Sequence, residues 1–156
     1  MTILPHERVL VGIDTTDCDK AMKIATAVTG SVGGVKLGKE FFVSNGPEGV
    51  RRVTAGGAPL FLDLKWHDIP NTVAGAVRAS LPLKPMIVNV HASGGPAMMK
   101  AAAEAAAAAG EDRPMVIGVT VLTSMAEDDL AAVGMDTDMP GQVVRLALLA
   151  KNCGLD

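Results

Sequence analysis

The sequence predicts an α/β fold built on a parallel sheet, and three observations carry that prediction. Short β-branched runs alternate with longer segments of helical periodicity, the arrangement of repeated βα units. The strand-like runs are unbroken apolar stretches such as VLVGID, LFLDL and MIVNV, as expected of strands covered on both faces. Ala, Val, Leu and Gly abound while aromatic residues make up only 3% of the chain, which suits helices packed closely on a buried sheet.

Five units can be counted. Val9 to Asp14 reads as the first strand, and Thr16 or Asp17 caps a helix through about Val28 whose apolar stripe is Ala21, Ile24, Ala25 and Val28. Val35 to Leu37 is the second strand, followed by helical residues from Lys39 and again from Pro47, with Gly56-Gly57 closing the unit. Leu60 to Leu64 is the third strand, and Asn71 or Thr72 is placed to cap a helix running to about Leu81, before Pro82. Met86 to Val90 is the fourth, and the Ala-rich segment from Gly94 to Ala109 is a strong helix former that ends at Gly110. Val116 to Leu122 is the fifth strand. Two helical stretches follow, about Ala126 to Val133 and Pro140 to Asn152, on either side of the loop GMDTDM.

At 156 residues the chain is expected to form a single domain over residues 1–156. A closed (β/α)8 barrel takes about 250 residues, so five units predict an open or incomplete barrel. Periodicity alone leaves a doubly wound sheet open; the lack of a GxGxxG turn after the first strand argues only against its dinucleotide-binding form.

Charge and composition narrow the function classes. The net charge is −3, with 14 basic residues scattered among 17 acidic ones and few aromatics to stack on bases, so nucleic acid is not an expected partner. The N-terminal stretch MTILPHERVLVGID does not have the form of a secretory leader, and no apolar run reaches the ~18 residues that cross a bilayer. A cytoplasmic location is expected. Cys18 and Cys153 form neither a CxxC pair nor a disulfide framework and read as structural thiols.

The most unusual stretch is Asp63-Leu64-Lys65-Trp66-His67-Asp68-Ile69-Pro70-Asn71-Thr72, which sets charged groups at the end of an apolar strand. Residues two apart on a strand share a face, so Asp63 and Lys65 are expected to project together. Asp14 at the end of the first strand and Lys36 between Val35 and Leu37 follow the same logic. Taken singly, each charge reads as well as a solvated strand end or a structural ion pair as it does as a functional group. Charges are seldom buried unpaired, however, and the C-terminal ends of barrel strands are where catalytic residues gather.

The segments FLDLKWHDIPNT, GVKLGKEFF, VNVHASGG and VTVLTSM resemble, in order and spacing, those of orotidine 5'-monophosphate decarboxylases, and the resemblance spans about Val9 to Asp156. The Asp-x-Lys-x-x-Asp core is shared with sugar-phosphate decarboxylases and aldolases of the same superfamily; DIPNT and HASGG are more specific. The resemblance implies a (β/α)8 TIM-barrel fold of which this chain holds the N-terminal part, and decarboxylation of orotidine 5'-monophosphate to uridine 5'-monophosphate without a metal or organic cofactor. It implies that Lys36, Asp63, Lys65 and Asp68 form an alternating charged array, with Lys65 as proton donor to C6 and Asp63 against the departing carboxylate. It further implies that Asp14 and Lys36 bond the ribose hydroxyls, that Ser124 contacts the pyrimidine, and that Asp68 and Thr72 complete the neighbour's site in a homodimer. The family's phosphate-holding loops follow strands seven and eight, which this sequence does not reach.

Several features carry less. His67 and His91 are not spaced as metal ligands, and no bound metal is expected. Ser93-Gly94-Gly95-Pro96 at a helix start is read as a turn rather than a phosphate cradle, the nine methionines as core filler, and Trp66 as packing beneath the rim. Two other functions stay open: a magnesium-dependent sugar-phosphate decarboxylase or aldolase, and a truncated, non-catalytic half-barrel whose open sheet edge would promote association.

Overall fold

A computed structural model describes residues 4–156; the first three residues of the N-terminal stretch read above for a leader lie outside them. Five strands, β1 (Leu10–Ile13), β2 (Gly34–Gly38), β3 (Leu60–Trp66), β4 (Ile87–His91) and β5 (Met115–Val119), form one sheet in sequence order. The helices are α1 (Cys18–Val28), α2 (Lys39–Thr54), α3 (Pro70–Ser80), α4 (Pro96–Ala107), α5 (Glu127–Ala132) and α6 (Met139–Asn152). One or two helices thus follow every strand, as the periodicity predicts.

By its internal contacts the chain divides into two compact units. The first runs to Leu64 and takes in Ser80–Val88. There β1 pairs in parallel with β2, Leu10 against Gly34 through Ile13 against Leu37, and β2 pairs in parallel with β3, Val35 against Leu60 through Gly38 against Asp63. The core holds Ile13, Val35, Leu37, Leu60 and Leu62, with Ala21 and Ala25 of α1 and Phe41, Val50 and Val53 of α2, all buried. Asp17 caps α1 as expected: its carboxylate accepts the backbone N–H groups of Asp19 (2.9 Å) and Lys20 (3.0 Å). The bond from Lys20 is the main reason its carboxyl titrates below the ordinary range. The break in helical pattern before Pro47 has its counterpart in α2, where Gly46 stands at φ 59° and the helix kinks.

The second unit comprises Lys65–Ala79 and Asn89–Asp156. Its core is Val73 and Val77 of α3, Val90 of β4, Met98, Met99, Ala102 and Ala106 of α4, Val116 of β5 and Leu146 and Ala150 of α6. Two expected boundaries are corrected here. Helix α3 starts at Pro70, so Asn71 and Thr72 lie in its first turn rather than capping it; proline's fixed φ suits the first helical position. Strand β5 stops at Val119, not Leu122. In the first unit, likewise, β1 stops at Ile13 and leaves Asp14 just beyond the strand rather than at its last position.

The two cysteines are free, Cys153 buried and Cys18 partly so. Asp156 is tied to Val116 of β5 in both directions, its backbone N–H donating to the Val116 carbonyl and its side-chain carboxylate accepting the Val116 N–H, both 2.9 Å. Arg113 adds a two-pronged contact to the same carboxylate. The guanidinium holds the Asp156 carboxyl below the usual carboxylate range. A carboxyl lowered on folding contributes stability above its unfolded pKa of ~3.9 and loses it as pH falls through the lower folded value. Asp156→Asn is therefore expected to lower Tm at pH 6–8, with the difference from the parent chain closing as the pH drops below ~3.9 in thermal melts followed by circular dichroism.

Candidate active site

Within the first unit, β1, β2 and β3 bring three of the candidate residues together: Lys36 and Asp63 from within β2 and β3, and Asp14 from just beyond β1. Asp63, on β3, is only 7% exposed. A buried carboxylate is costly unless paired, and Lys36 Nζ lies 3.0 Å from its Oδ2. Register explains how the lysine arrives. Lys36 is paired with Phe61, two residues short of Asp63 and so roughly 6.6 Å back along the strand, a span its four-carbon stem covers. Gly38 is the register partner of Asp63, and a Cβ built there would stand in ordinary contact, 3.8 Å from Lys36 Nζ. Gly12 is the register partner of Lys36 on β1, with Lys36 Cε and Asp14 Oδ2 3.6 and 3.9 Å from where its Cβ would be, so the lysine stem and the Asp14 carboxylate both lie beside it. Asp14 itself is exposed.

Lys65, Asp68, Thr72 and Ser124 belong to the second unit. Lys65 is half-buried and stands at φ +50°, in the left-handed region that side-chain-bearing residues rarely adopt. The expectation that Asp63 and Lys65 share a face assumed extended backbone through residue 65; the positive φ breaks that alternation, so a common face does not follow from strand geometry. The conformation costs on the order of 1–2 kcal/mol, and outliers of this kind concentrate at functional sites. The Lys65 backbone N–H donates to Asn89 Oδ1 at 2.7 Å, and Asn89 is 2% exposed in the middle of β4.

Asp68 is exposed, its carboxylate accepting the N–H of Ile69 at 2.7 Å. Thr72 is exposed in the first turn of α3, and Ser124 is exposed in the segment after β5. Between Asp68 and Thr72 the large apolar side chain of Ile69 is 66% exposed. His67 and His91 come together, ring centroids 5.6 Å apart and tilted by 38°, with His91 the last residue of β4, one beyond the expected end of that strand. The glycine-rich turn leads into α4 through Gly95 at φ 87° and Pro96 at the first helical position. Among the described residues no three His, Cys, Asp or Glu side chains form a metal-ligating group, and no helix is long and apolar enough to cross a membrane.

Asn89 and the two glycines were not singled out from sequence. Asn89 had a signal, a lone amide inside the apolar run MIVNV. Gly12 and Gly38 had a weaker one, each lying within or beside a strand run with no turn to explain it.

Comparison with known proteins agrees with this arrangement of elements. The family model described as orotidine 5'-phosphate decarboxylase / HUMPS matches residues 7–156. The chain belongs to that family. It is 53% identical to an orotidine 5'-phosphate decarboxylase of Rhodospirillum rubrum over 100% of its own length and 65% of the relative's. The crystal structure of orotidine 5'-phosphate decarboxylase from Lactobacillus acidophilus superposes with a TM-score of 0.85 at 36% identity, covering 95% of this chain and 68% of that one. The orotidine 5'-monophosphate decarboxylase of Methanocaldococcus jannaschii complexed with the inhibitor BMP gives a TM-score of 0.76 at 25% identity, covering 95% and 64%. The chain thus spans about two-thirds of the length of these relatives, and its five strands are the corresponding part of their barrel fold. The expected fold class, an incomplete barrel of the TIM type, holds.

If Lys65 is held in a strained backbone conformation, replacing it by Gly and by Ala removes the same functional group while only Gly relaxes the strain. Lys65→Gly is expected to be more stable than Lys65→Ala by roughly 1 kcal/mol in urea denaturation. Equal stabilities, or a more stable alanine variant, would show that the left-handed conformation stores no strain.

Proposed function

We propose that this chain supplies the base- and ribose-binding part of an orotidine 5'-monophosphate decarboxylase site, within the single domain formed by residues 1–156, the N-terminal part of the barrel. The observation that carries the proposal is the 3.0 Å ion pair between Lys36 and the buried Asp63, on adjacent strands at positions that match the family's charged array. In the proposed reaction the C6–carboxylate bond breaks, carbon dioxide leaves, and the electron pair remains on C6 as a vinylic carbanion with no neighbouring electron sink. Such a charge is best stabilised by a fixed positive group already in place. Lys65 fills that role: its ammonium faces the developing carbanion and delivers the proton to C6, giving uridine 5'-monophosphate, and is reprotonated from water. No metal or organic cofactor is needed for this sequence of steps.

Asp63 stands against the substrate carboxylate. Electrostatic stabilisation by Lys65 contributes more to the rate than repulsion between Asp63 and the substrate carboxylate in the ground state. Asp14 and Lys36 hold the ribose hydroxyls, and Ser124 meets the pyrimidine. Asp68 and Thr72 reach the site of a second copy in a homodimer; the exposure of both, with Ile69 exposed between them, supports a surface of that kind. A nucleotide ligand accords with the inhibitor complex of the Methanocaldococcus enzyme. The proposed setting is pyrimidine nucleotide synthesis in the cytoplasm.

The test is loss of orotidine 5'-monophosphate absorbance with the purified chain, alone, with EDTA, and with Lys65→Ala. Turnover unaffected by EDTA and reduced by about 1,000-fold or more in Lys65→Ala is expected, the scale of losing the one preorganised charge at the reacting atom. Turnover that needs a divalent metal would favour the sugar-phosphate class, and turnover that survives the substitution would remove Lys65 from the chemistry. Absence of turnover in the parent chain would make it a non-catalytic half-barrel.

A further inference from the structure

We infer that Asn89 is a positioning residue for Lys65, fixing the backbone conformation from which that lysine projects; the consequence for catalysis rests on the decarboxylase reading above. Three observations converge. Lys65 adopts φ +50° one residue before the end of β3, although it carries a long side chain and no glycine is present to make the conformation easy. Its N–H donates to a side chain, Asn89 Oδ1, over 2.7 Å. Asn89 is 2% exposed between Val88 and Val90, each at 0%, where an amide is the wrong residue for packing alone.

The physical connection runs from backbone to ammonium. With φ reversed in sign, the peptide plane preceding residue 65 is turned relative to a regular strand, and its N–H takes a different direction. A buried N–H must find an acceptor, and the Asn89 carboxamide provides one at that direction on the neighbouring strand. An extended conformation at Lys65 would turn the N–H away from Asn89 and leave a buried amide oxygen to find another partner. The hydrogen bond therefore selects the left-handed state over the extended one. Because the Cα–Cβ bond moves with the backbone, that choice sets where the lysine stem begins. Substrate binding through remote groups would be little affected, while the placement of the proton donor would depend on it directly.

The experiment uses the 156-residue chain and two variants. Asn89→Asp keeps an acceptor oxygen at the same position; Asn89→Leu has similar volume and no acceptor. Crystal structures of all three are expected to show Lys65 at positive φ in the parent and in Asn89→Asp, and in the extended region with a displaced ammonium in Asn89→Leu. Should Asn89→Leu fail to fold, amide hydrogen exchange in the parent chain decides: a Lys65 N–H bonded to Asn89 exchanges slowly, and one exchanging as fast as the exposed His67 amide overturns the proposal. Retention of positive φ in Asn89→Leu overturns it as well. Steady-state decarboxylation by the same proteins gives the functional readout. Asn89→Leu should lose about 100-fold in kcat, the scale an ångström of misplacement costs, with KM within about threefold, and Asn89→Asp should restore at least about a tenth of the parent kcat. A loss carried by KM alone would assign Asn89 to ligand binding and refute positioning. If the parent chain shows no turnover, the decarboxylase reading fails while the crystallographic outcome still decides whether Asn89 sets the Lys65 backbone.

Discussion

A carboxylate buried in the middle of a strand is the constraint on which the site depends. Asp63 sits where β3 leaves its apolar run, 7% exposed, and in that position an unpaired charge would be strongly unfavourable. Lys36 on the adjacent strand satisfies it at 3.0 Å. Much of the local sequence serves this contact. Val35 and Leu37 are fully buried and fix the register of β2, so that Lys36 falls two residues short of Asp63. A pair of this kind adds little net stability compared with well-packed apolar residues.

Lys65 is placed differently. It follows Asp63 by two residues on the same strand, but its backbone departs from extended geometry at a cost met by a dedicated hydrogen bond from β4. Charge at Asp63 is positioned by an ordinary strand and an ion pair, whereas charge at Lys65 is positioned by a turned peptide plane and a buried amide. The two devices suit different tasks. An ion pair tolerates small displacements, because Coulomb attraction changes slowly with distance. In the proposed reaction, proton delivery to a single carbon would demand tighter placement, of the kind a backbone fixed at a strained value provides.

Much of the fold was legible in the sequence because it rests on period and punctuation. The strands announced themselves as apolar runs, Asp17 as a cap preceding an apolar stripe, and Pro47 as a second helical start. The departures lie where one local preference overrode another. Proline's compatibility with the first helical position outweighed the capping chemistry of Asn71 and Thr72, and β5 ended at Val119 while β-branched Thr and Val residues continued the pattern. In the site, the charged residues were visible as charges in apolar surroundings. The positive φ at Lys65 was not, because no residue type there signals it, and alternation gave a shared face that the backbone does not guarantee. Asn89 was visible only as an oddity in MIVNV until its partner, 24 residues earlier, was known.

Whether Lys36 and Asp63 form one coupled electrostatic unit at the heart of the site is decided by a double-mutant cycle of Lys36→Met and Asp63→Asn, with stability measured by urea denaturation at about pH 7. A coupling energy of roughly 1–2 kcal/mol is expected, with each single substitution costing more than its share of the double variant's loss. Strict additivity, a coupling below about 0.3 kcal/mol, would contradict the coupled pair, since two charges that interact as the geometry shows cannot be removed independently.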